Sequence, residues 1–399
     1  MHKNSSAHAS LYMITFALIL LLTGTAFPQL QFKGYLENRM FITFIDNNFN
    51  PADYKESIRW GDFNRGRLEM SADVSDNSYI NLTVDHYTYH GYLLQLLRQP
   101  GSGNNPVTAA EDQKIQVDRA YIKLYFDKAD VTLGKQRISW GQSLLWSPFD
   151  VFKRVNFLEP QEEKPGVNAL RVTVPLGVTS SFTGVFAPEA TADESRAGAR
   201  FIWNLSGSEF AVTGIHNVIN TISQNIYGFS VKTDMVLGLW FEGAYFKEKP
   251  LPGRTGMPAD YYRWLTGADY SLNLNSMKLL ISAEYTHDES GEPHRERYNY
   301  FNAIMRGRTL LARDYVYGSA QLMYSDHTSF STTVLSNIND RGIMFMPAVR
   351  HSLFPNTEMT IGMYAALAEA GDEFEPLPVN DPFNYIGNGV IYCWLRLYI

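Results

Sequence analysis

The sequence is poor in cysteine: its 399 residues contain one, Cys393. A single cysteine cannot form an internal disulfide or supply the thiolate cluster of a structural metal site. Basic residues are also few, because 34 Lys and Arg residues stand against 41 Asp and Glu residues, for a formal net charge of −7. Nucleic-acid-binding chains usually carry a basic excess that neutralises phosphates, so this balance argues against nucleic acid as a partner.

Long apolar runs are missing after the N-terminal region. A membrane helix needs about 20 apolar residues, whereas the apolar run at 11–22 is clearly shorter. Lys3 precedes this run and the small residues Thr23–Ala26 follow it. That pattern is typical of a secretory signal rather than an anchoring helix. We therefore expect residues 1–26 to be a signal peptide.

The dominant pattern from Gln31 onward has period two, which predicts β-strands. In 117–126, for example, one parity is apolar and the other is polar or aromatic. The apolar parity holds Ala120, Ile122, Leu124 and Phe126, and the other holds Arg119, Tyr121, Lys123 and Tyr125. Helical spacing of apolar residues is not found in these segments, so the expected fold class is all-β.

About 18 such segments are separated alternately by short turns and by longer connections, and 16 strands is the alternative count. Lipid offers no hydrogen-bond partner, so a sheet can cross a membrane only as a closed cylinder. Strands of ten or more residues, loops that are long on one side, and aromatic residues near strand ends favour a barrel over a soluble sandwich. We therefore predict that residues 27–399 form a transmembrane antiparallel up-and-down β-barrel in the outer membrane.

The last segment, 391–399, alternates in the same way, with Cys393 on the apolar parity. It is similar to the C-terminal strand by which outer-membrane barrels are recognised for insertion, although Ile399 stands where an aromatic residue is usual. This similarity implies that the barrel-assembly machinery is a partner. Outer-membrane lipid and lipopolysaccharide are the other expected partners.

The stretch 134–177 contains the most specific motifs. They are Gly134, Gln136 with Arg137, Trp140-Gly141, the run Ser147–Asp150, and 163–171, and a first-strand motif lies at 32–37. Together they resemble porin-like outer-membrane proteins of the DUF1302 and alginate-export type. The resemblance implies a barrel, an envelope location and a role in transport.

Residues 139–166 connect two neighbouring strands, for which a much shorter hairpin would suffice. Loops of this length are usually functional, and this one is too apolar to extend into water. We expect it to fold into the lumen and form a constriction. The alternative is a packed cluster of aromatic side chains that covers the rim of the barrel and does not determine which solutes pass. The candidate constriction or solute-contact residues are Arg137, Trp140, Trp146, Phe149, Lys153 and Arg154.

The polar parity of the strands predicts the lumen wall. Bases slightly outnumber acids on this parity, which suits small polar or anionic solutes, although many of these charges could pair across strands instead. The wall residues with the clearest assignment are Arg119, Lys123, Arg171, Arg196, Arg200 and Lys232.

Enzymatic motifs are lacking, including the nucleophile elbow, the zinc-protease helix and the phosphate loops. The acidic residues at 369–381 could bind Ca²⁺ but more often form a solvated loop. We therefore expect no catalytic residue, no metal and no cofactor. The predicted function is a porin-like channel for passive diffusion of small polar or anionic solutes. The alternatives are a barrel for polysaccharide or lipid export, and a plugged structural or surface-binding barrel.

Overall fold

The computed structural model describes residues 30–44, 58–98, 112–144, 146–152, 164–254, 258–300, 303, 306–308, 310–369, 371–375 and 389–399. Period-two segments form the strands, as their patterning predicts. The strands are β1 (Gln31–Phe44), β2 (Ile58–Ser75), β3 (Ser78–His90), β4 (Gln113–Phe126), β5 (Ala129–Gln136), β6 (Val167–Pro175), β7 (Ser180–Ala187), β8 (Arg196–Leu205), β9 (Ser208–Ile219), β10 (Ile222–Asp234), β11 (Gly238–Pro250), β12 (Tyr261–Leu274), β13 (Met277–Asp288), β14 (Asp314–Met323), β15 (Thr328–Asn337), β16 (Ile343–Phe354), β17 (Thr357–Leu367) and β18 (Gly389–Tyr398).

Each strand pairs antiparallel with its neighbours in the chain, and β1 also pairs with β18. In the closing pair Asn38 lies opposite Leu395. The 18-stranded sheet is therefore a closed cylinder, which confirms the predicted fold class and excludes the 16-stranded alternative. The alternating pattern predicts that β2 begins near residue 64, whereas the strand begins at Ile58.

The side chains of the barrel are distributed inside out relative to a soluble protein. In β1 the outward Leu36 and Met40 are 55% and 46% exposed, whereas the inward Glu37 and Arg39 are 3% and 0% exposed. Alternation along the strand places these two sets on opposite faces. The outer surface is thus apolar and suited to hydrocarbon, and the inner surface is polar and suited to water.

One helix, α1 (Gly91–Arg98), follows β3 and was not expected from the period-two pattern. Gly91 has φ +61°, a backbone conformation that favours glycine. Gly61 shares the inner face of β2 with Phe63, and a Cβ at Gly61 would lie 2.8 Å from the Leu93 nitrogen. The helix therefore packs on the lumen side of β2. No helix in the described part of the chain is long and apolar enough to cross a membrane.

Candidate functional site

The loop between β5 and β6 spans residues 137–166, and its described parts are 137–144, 146–152 and 164–166. The segments 138–144 and 146–152 lie inside the barrel. Their apolar side chains pack on an apolar sector of the inner wall. The cluster consists of Ile138, Trp140, Phe149, Val151 and Phe152 of the loop with Val167, Ala169, Val185, Ala187, Ile215, Ile226, Ala244, Phe246 and Tyr261 of the wall. The wall of β6–β12 is apolar here because it receives the loop rather than water.

Asp150 links the two ends of the β5–β6 loop. One of its carboxylate oxygens accepts the backbone N–H groups of Trp140 and Gly141 at 3.1 and 3.2 Å. The other oxygen contacts the ammonium group of Lys164, which also donates to the Ser139 hydroxyl at 2.8 Å. The two ends of the loop are thereby tied together where it leaves the wall.

Three carboxylates of the wall hold the far part of the loop: Glu209 on β9, Glu242 on β11 and Glu284 on β13. The Gln142 side chain donates to Glu209 at 2.6 Å, and the Gln142 backbone N–H donates to Glu242 at 2.5 Å. Glu284 accepts from the Ser143 hydroxyl at 2.6 Å and from the Leu144 N–H at 3.0 Å. Backbone donors that would otherwise be buried without a partner are satisfied in this way.

Two tryptophans fix the direction of the loop. The Trp140 ring occupies the space above Gly198 on β8, where a Cβ would lie 2.6 Å from the ring, and it meets Phe152 edge-on at 5.6 Å between centroids. Trp146 reaches the opposite wall, where its ring lies 6.0 Å from that of Tyr315 on β14. The loop therefore crosses the lumen rather than lying along one side.

The candidate constriction residues do not all lie in the same part of the structure. Trp140, Trp146 and Phe149 lie inside the barrel, as described above. Arg137 follows the end of β5 at Gln136 and is exposed, and the structure does not bring it to the loop cluster. Lys153 and Arg154 lie outside the described residues.

The candidate wall residues fall into two groups. Arg119, Lys123, Arg171 and Arg200 lie along the lumen face of β4, β6 and β8, with carboxylate neighbours for three of them. Arg119 lies 3.7 Å from Asp118, Lys123 lies 3.0 Å from Asp130, and Arg200 lies 3.7 Å from Glu209. Arg171 has no carboxylate within 4.0 Å among the described residues and contacts the Thr132 hydroxyl at 3.5 Å.

The other two candidate wall residues have different surroundings. Arg196 donates to the Phe152 carbonyl at 2.9 Å and to Glu189 at 2.8 Å, so it supports the middle of the β5–β6 loop. Lys232 is partly exposed near the short-turn end of β10 and lies 3.7 Å from Asp234. Neither residue belongs to the strip formed by Arg119, Lys123 and Arg171.

A second basic region covers β1–β3 and β18. Asp85 lies between Arg65 and Arg67, at 3.1 and 2.8 Å, and Glu37 lies between Arg39 and Arg396. Aromatic rings separate these guanidinium groups, as where the Arg39 guanidinium lies 4.3 Å from the centroid of the Trp394 ring. The result is a continuous wall of alternating bases and aromatic rings, interrupted by single carboxylates.

A second cluster lies around Glu373 at the end of the barrel that carries the long loops, and we call it the cap cluster. Glu373 accepts from the Leu311 N–H at 2.6 Å, the Tyr315 hydroxyl at 2.5 Å and the Asn337 amide at 2.8 Å. Burial, reinforced by the charge of Asp340, raises the pKa of Glu373 to about 7, although Arg308 opposes the shift. Asp372 and Glu373 of the acidic segment are thus bonded to protein groups, and no group of three metal-ligating side chains occurs in the described residues.

We expect the cap cluster to loosen as the pH rises. A carboxyl group whose pKa is raised by folding stabilises the folded arrangement when it is protonated. The contribution of Glu373 to the stability of the cap cluster is therefore complete below about pH 4.5 and is lost as the pH rises through about 7. Hydrogen exchange at the Leu311 amide, corrected for intrinsic exchange, should show more protection at about pH 5 than at about pH 8. The variant Glu373→Gln should lose this difference; an unchanged difference in the variant would assign the effect to another group.

The residues that anchor the β5–β6 loop to the wall were not identified from the sequence. Glu242 and Glu284 are recognisable on the polar parity of their strands, but nothing in the sequence indicates that they hold a loop. Gln142 and Ser143 carry no motif that links them to these acids. Partners separated by 100 and 141 residues are brought together only by the closed barrel.

No protein-family model and no curated protein matches the sequence. Solved structures match over nearly the whole chain. OccAB1 of Acinetobacter baumannii has a TM-score of 0.57 at 10% identity, covering 92% of this chain and 96% of that chain. OccAB4 of the same species has 0.58 at 8%, covering 93% and 98%. A BenF-like porin of Pseudomonas fluorescens Pf-5 has 0.57 at 8%, covering 94% and 99%.

These similarities establish the fold: the chain is an 18-stranded porin-like barrel of the kind found in outer-membrane porins. The narrower resemblance to DUF1302 and alginate-export barrels, based on residues 134–177, receives no support from the comparisons. The structural neighbours are instead OccAB1, OccAB4 and a BenF-like porin.

Proposed function

We propose that the protein is a channel in the outer membrane of a Gram-negative bacterium, through which small polar or anionic solutes diffuse passively. The observation that carries this proposal is the charged lumen crossed by a wall-anchored loop. A wet lumen lets a solute cross without entering hydrocarbon, and the loop narrows the path. The porin fold of the structural neighbours supports this function over polysaccharide or lipid export.

The charges of the wall favour anions on one side of the path. Arg171 adds a positive charge without an adjacent carboxylate among the described residues, whereas Arg119 and Lys123 are each partly compensated. An ion passing about 4 Å from an uncompensated charge gains about 1 kcal/mol even at the dielectric constant of water. Arg171 is therefore the wall residue expected to contribute most to anion preference.

Replacing Arg171 by glutamine tests this assignment. We expect the permeability ratio of chloride to potassium, measured from reversal potentials across planar bilayers in a KCl gradient, to fall by up to about fivefold. Lys247→Gln is the matched control, because Lys247 is exposed on the outer face of β11. A ratio that changes equally in both variants would contradict the assignment, and native protein that gives no open channel would support the plugged-barrel alternative instead.

The constriction is proposed to be formed by the β5–β6 loop. Trp140 and Phe149 are buried against the wall, so they position the loop, while Trp146 is the aromatic residue that reaches the far side. We propose no catalytic role for the chain. Lys153 and Arg154 stay candidates for charged groups at this constriction, and Arg137 stays a candidate only for contact with solutes at the rim.

Two further parts of the proposal concern biogenesis. Residues 1–26 would direct export and be removed. The C-terminal strand, β18, closes the cylinder against β1, and its outward apolar residues would meet the assembly machinery and then lipid and lipopolysaccharide.

A further inference from the structure

A group of polar side chains interrupts the apolar outer face of β1–β3. We call it the polar island. These residues have the opposite parity from the buried, lumen-facing Glu37, Arg65 and Asp85, so they project away from the lumen. The island consists of Asn38, Asp62, Asn64, His86, Thr88 and His90.

Hydrogen bonds connect the island across the three strands. Asn38 donates to Asn64 at 2.9 Å, Asn64 donates to Thr88 at 3.2 Å, and the His90 ring lies 3.2 Å from Asp62. The connection is incomplete. The His90 and Asp62 side chains are 50% and 30% exposed, and the exposed His86 has no described partner.

The island lies within the apolar belt rather than at its border. Toward the short-turn end it is followed by the outward Leu36 and Leu68, which are 55% and 46% exposed. Toward the long-loop end it is followed by Trp60, and on β4 Ile115 lies beside His86; these two side chains are 60% and 59% exposed. Carboxylate and amide groups facing hydrocarbon have no partner there and are costly, so this surface calls for a protein or polar lipid cover.

We propose that a second copy of this chain covers the island, with the β1–β3 faces of the two copies packed against each other. A two-fold interface must be self-complementary, and the island meets this condition because Asp62 accepts hydrogen bonds while the imidazoles of His86 and His90 can donate them. Lipopolysaccharide phosphates would instead require Lys or Arg. Every outward position of β1–β3 lacks both residue types.

Native mass spectrometry of the full protein in lipid nanodiscs tests the proposal. We expect a dimer, and we expect Asp62→Leu/His90→Leu to raise the dissociation constant of the dimer by roughly tenfold or more. Leucine suits the lipid-facing wall, so the variant should still form an open channel. The control is His216→Leu/Asn225→Leu, which removes a similar outward pair on β9 and β10 and should leave the dimer intact.

Cross-linking tests the orientation independently. In a Cys393→Ser background, His86→Cys should form a disulfide-linked dimer on mild oxidation, while Ile281→Cys on the outer face of β13 should not. A native protein that stays monomeric would overturn the proposal, as would a dimer that survives the leucine variant or a dimer without the His86→Cys cross-link. A monomer that retains lipopolysaccharide, and loses it in the leucine variant, would overturn it in favour of a lipid cover.

Discussion

Replacing Glu284 by alanine is expected to widen the channel. The change removes the acceptor of the Ser143 hydroxyl, the Leu144 N–H and the Trp240 indole N–H. Each buried donor left without a partner costs about 1–3 kcal/mol, and this cost falls on the docked state of the β5–β6 loop. Single-channel conductance should therefore rise, and its fluctuations should increase, in planar bilayers.

Two controls separate loop release from a general effect of removing charge. Glu284→Gln keeps a carbonyl acceptor, so its conductance should lie between those of the native protein and the alanine variant. Asp269→Ala removes a lumen-facing carboxylate of β12 that makes no hydrogen bond to the described part of the loop, so it should leave the conductance fluctuations unchanged. Equal effects of Glu284→Ala and Asp269→Ala would contradict the anchoring role.

Replacing Trp140 by alanine is expected to release the base of the same loop. Truncation of a buried tryptophan costs about 3–5 kcal/mol, and Trp140 is 7% exposed between Gly198 and Phe152. The strand ladder does not depend on this ring, so the barrel should persist. Hydrogen exchange should accelerate at the Gly141 and Gln142 amides, which donate to Asp150 and Glu242, but not in the strands.

Two further substitutions check this result. Trp203→Ala removes an equal side chain from the lipid-facing wall, where Trp203 stacks on Phe201 and Phe210, and should leave loop exchange unchanged. Gly198→Ala should displace the Trp140 ring in the native protein yet be tolerated in the Trp140→Ala background. Additive effects of these two changes would show that the ring does not rest on Gly198.

The strands could be predicted because their signal is local. Alternation along β4, for example, follows directly from the two faces of a pleated strand, one in lipid and one in water. The position of the β5–β6 loop on the inner wall could not be predicted in this way, because Gln142 and Glu242 come into contact only after the cylinder has closed. Arg137 illustrates the difference: the residue belongs to a recognisable motif, but it follows the end of β5 at Gln136 and is exposed, so strand alternation does not determine its direction.

The anchoring of the β5–β6 loop to strands that come later in the chain constrains biogenesis. Residues 142–144 are synthesised and exported before Glu209, Glu242 and Glu284. Contacts of such large sequence separation form late. The loop therefore cannot dock fully until the strands from β5 to β13 are aligned, and chaperones in the periplasm would meet its tryptophans before that.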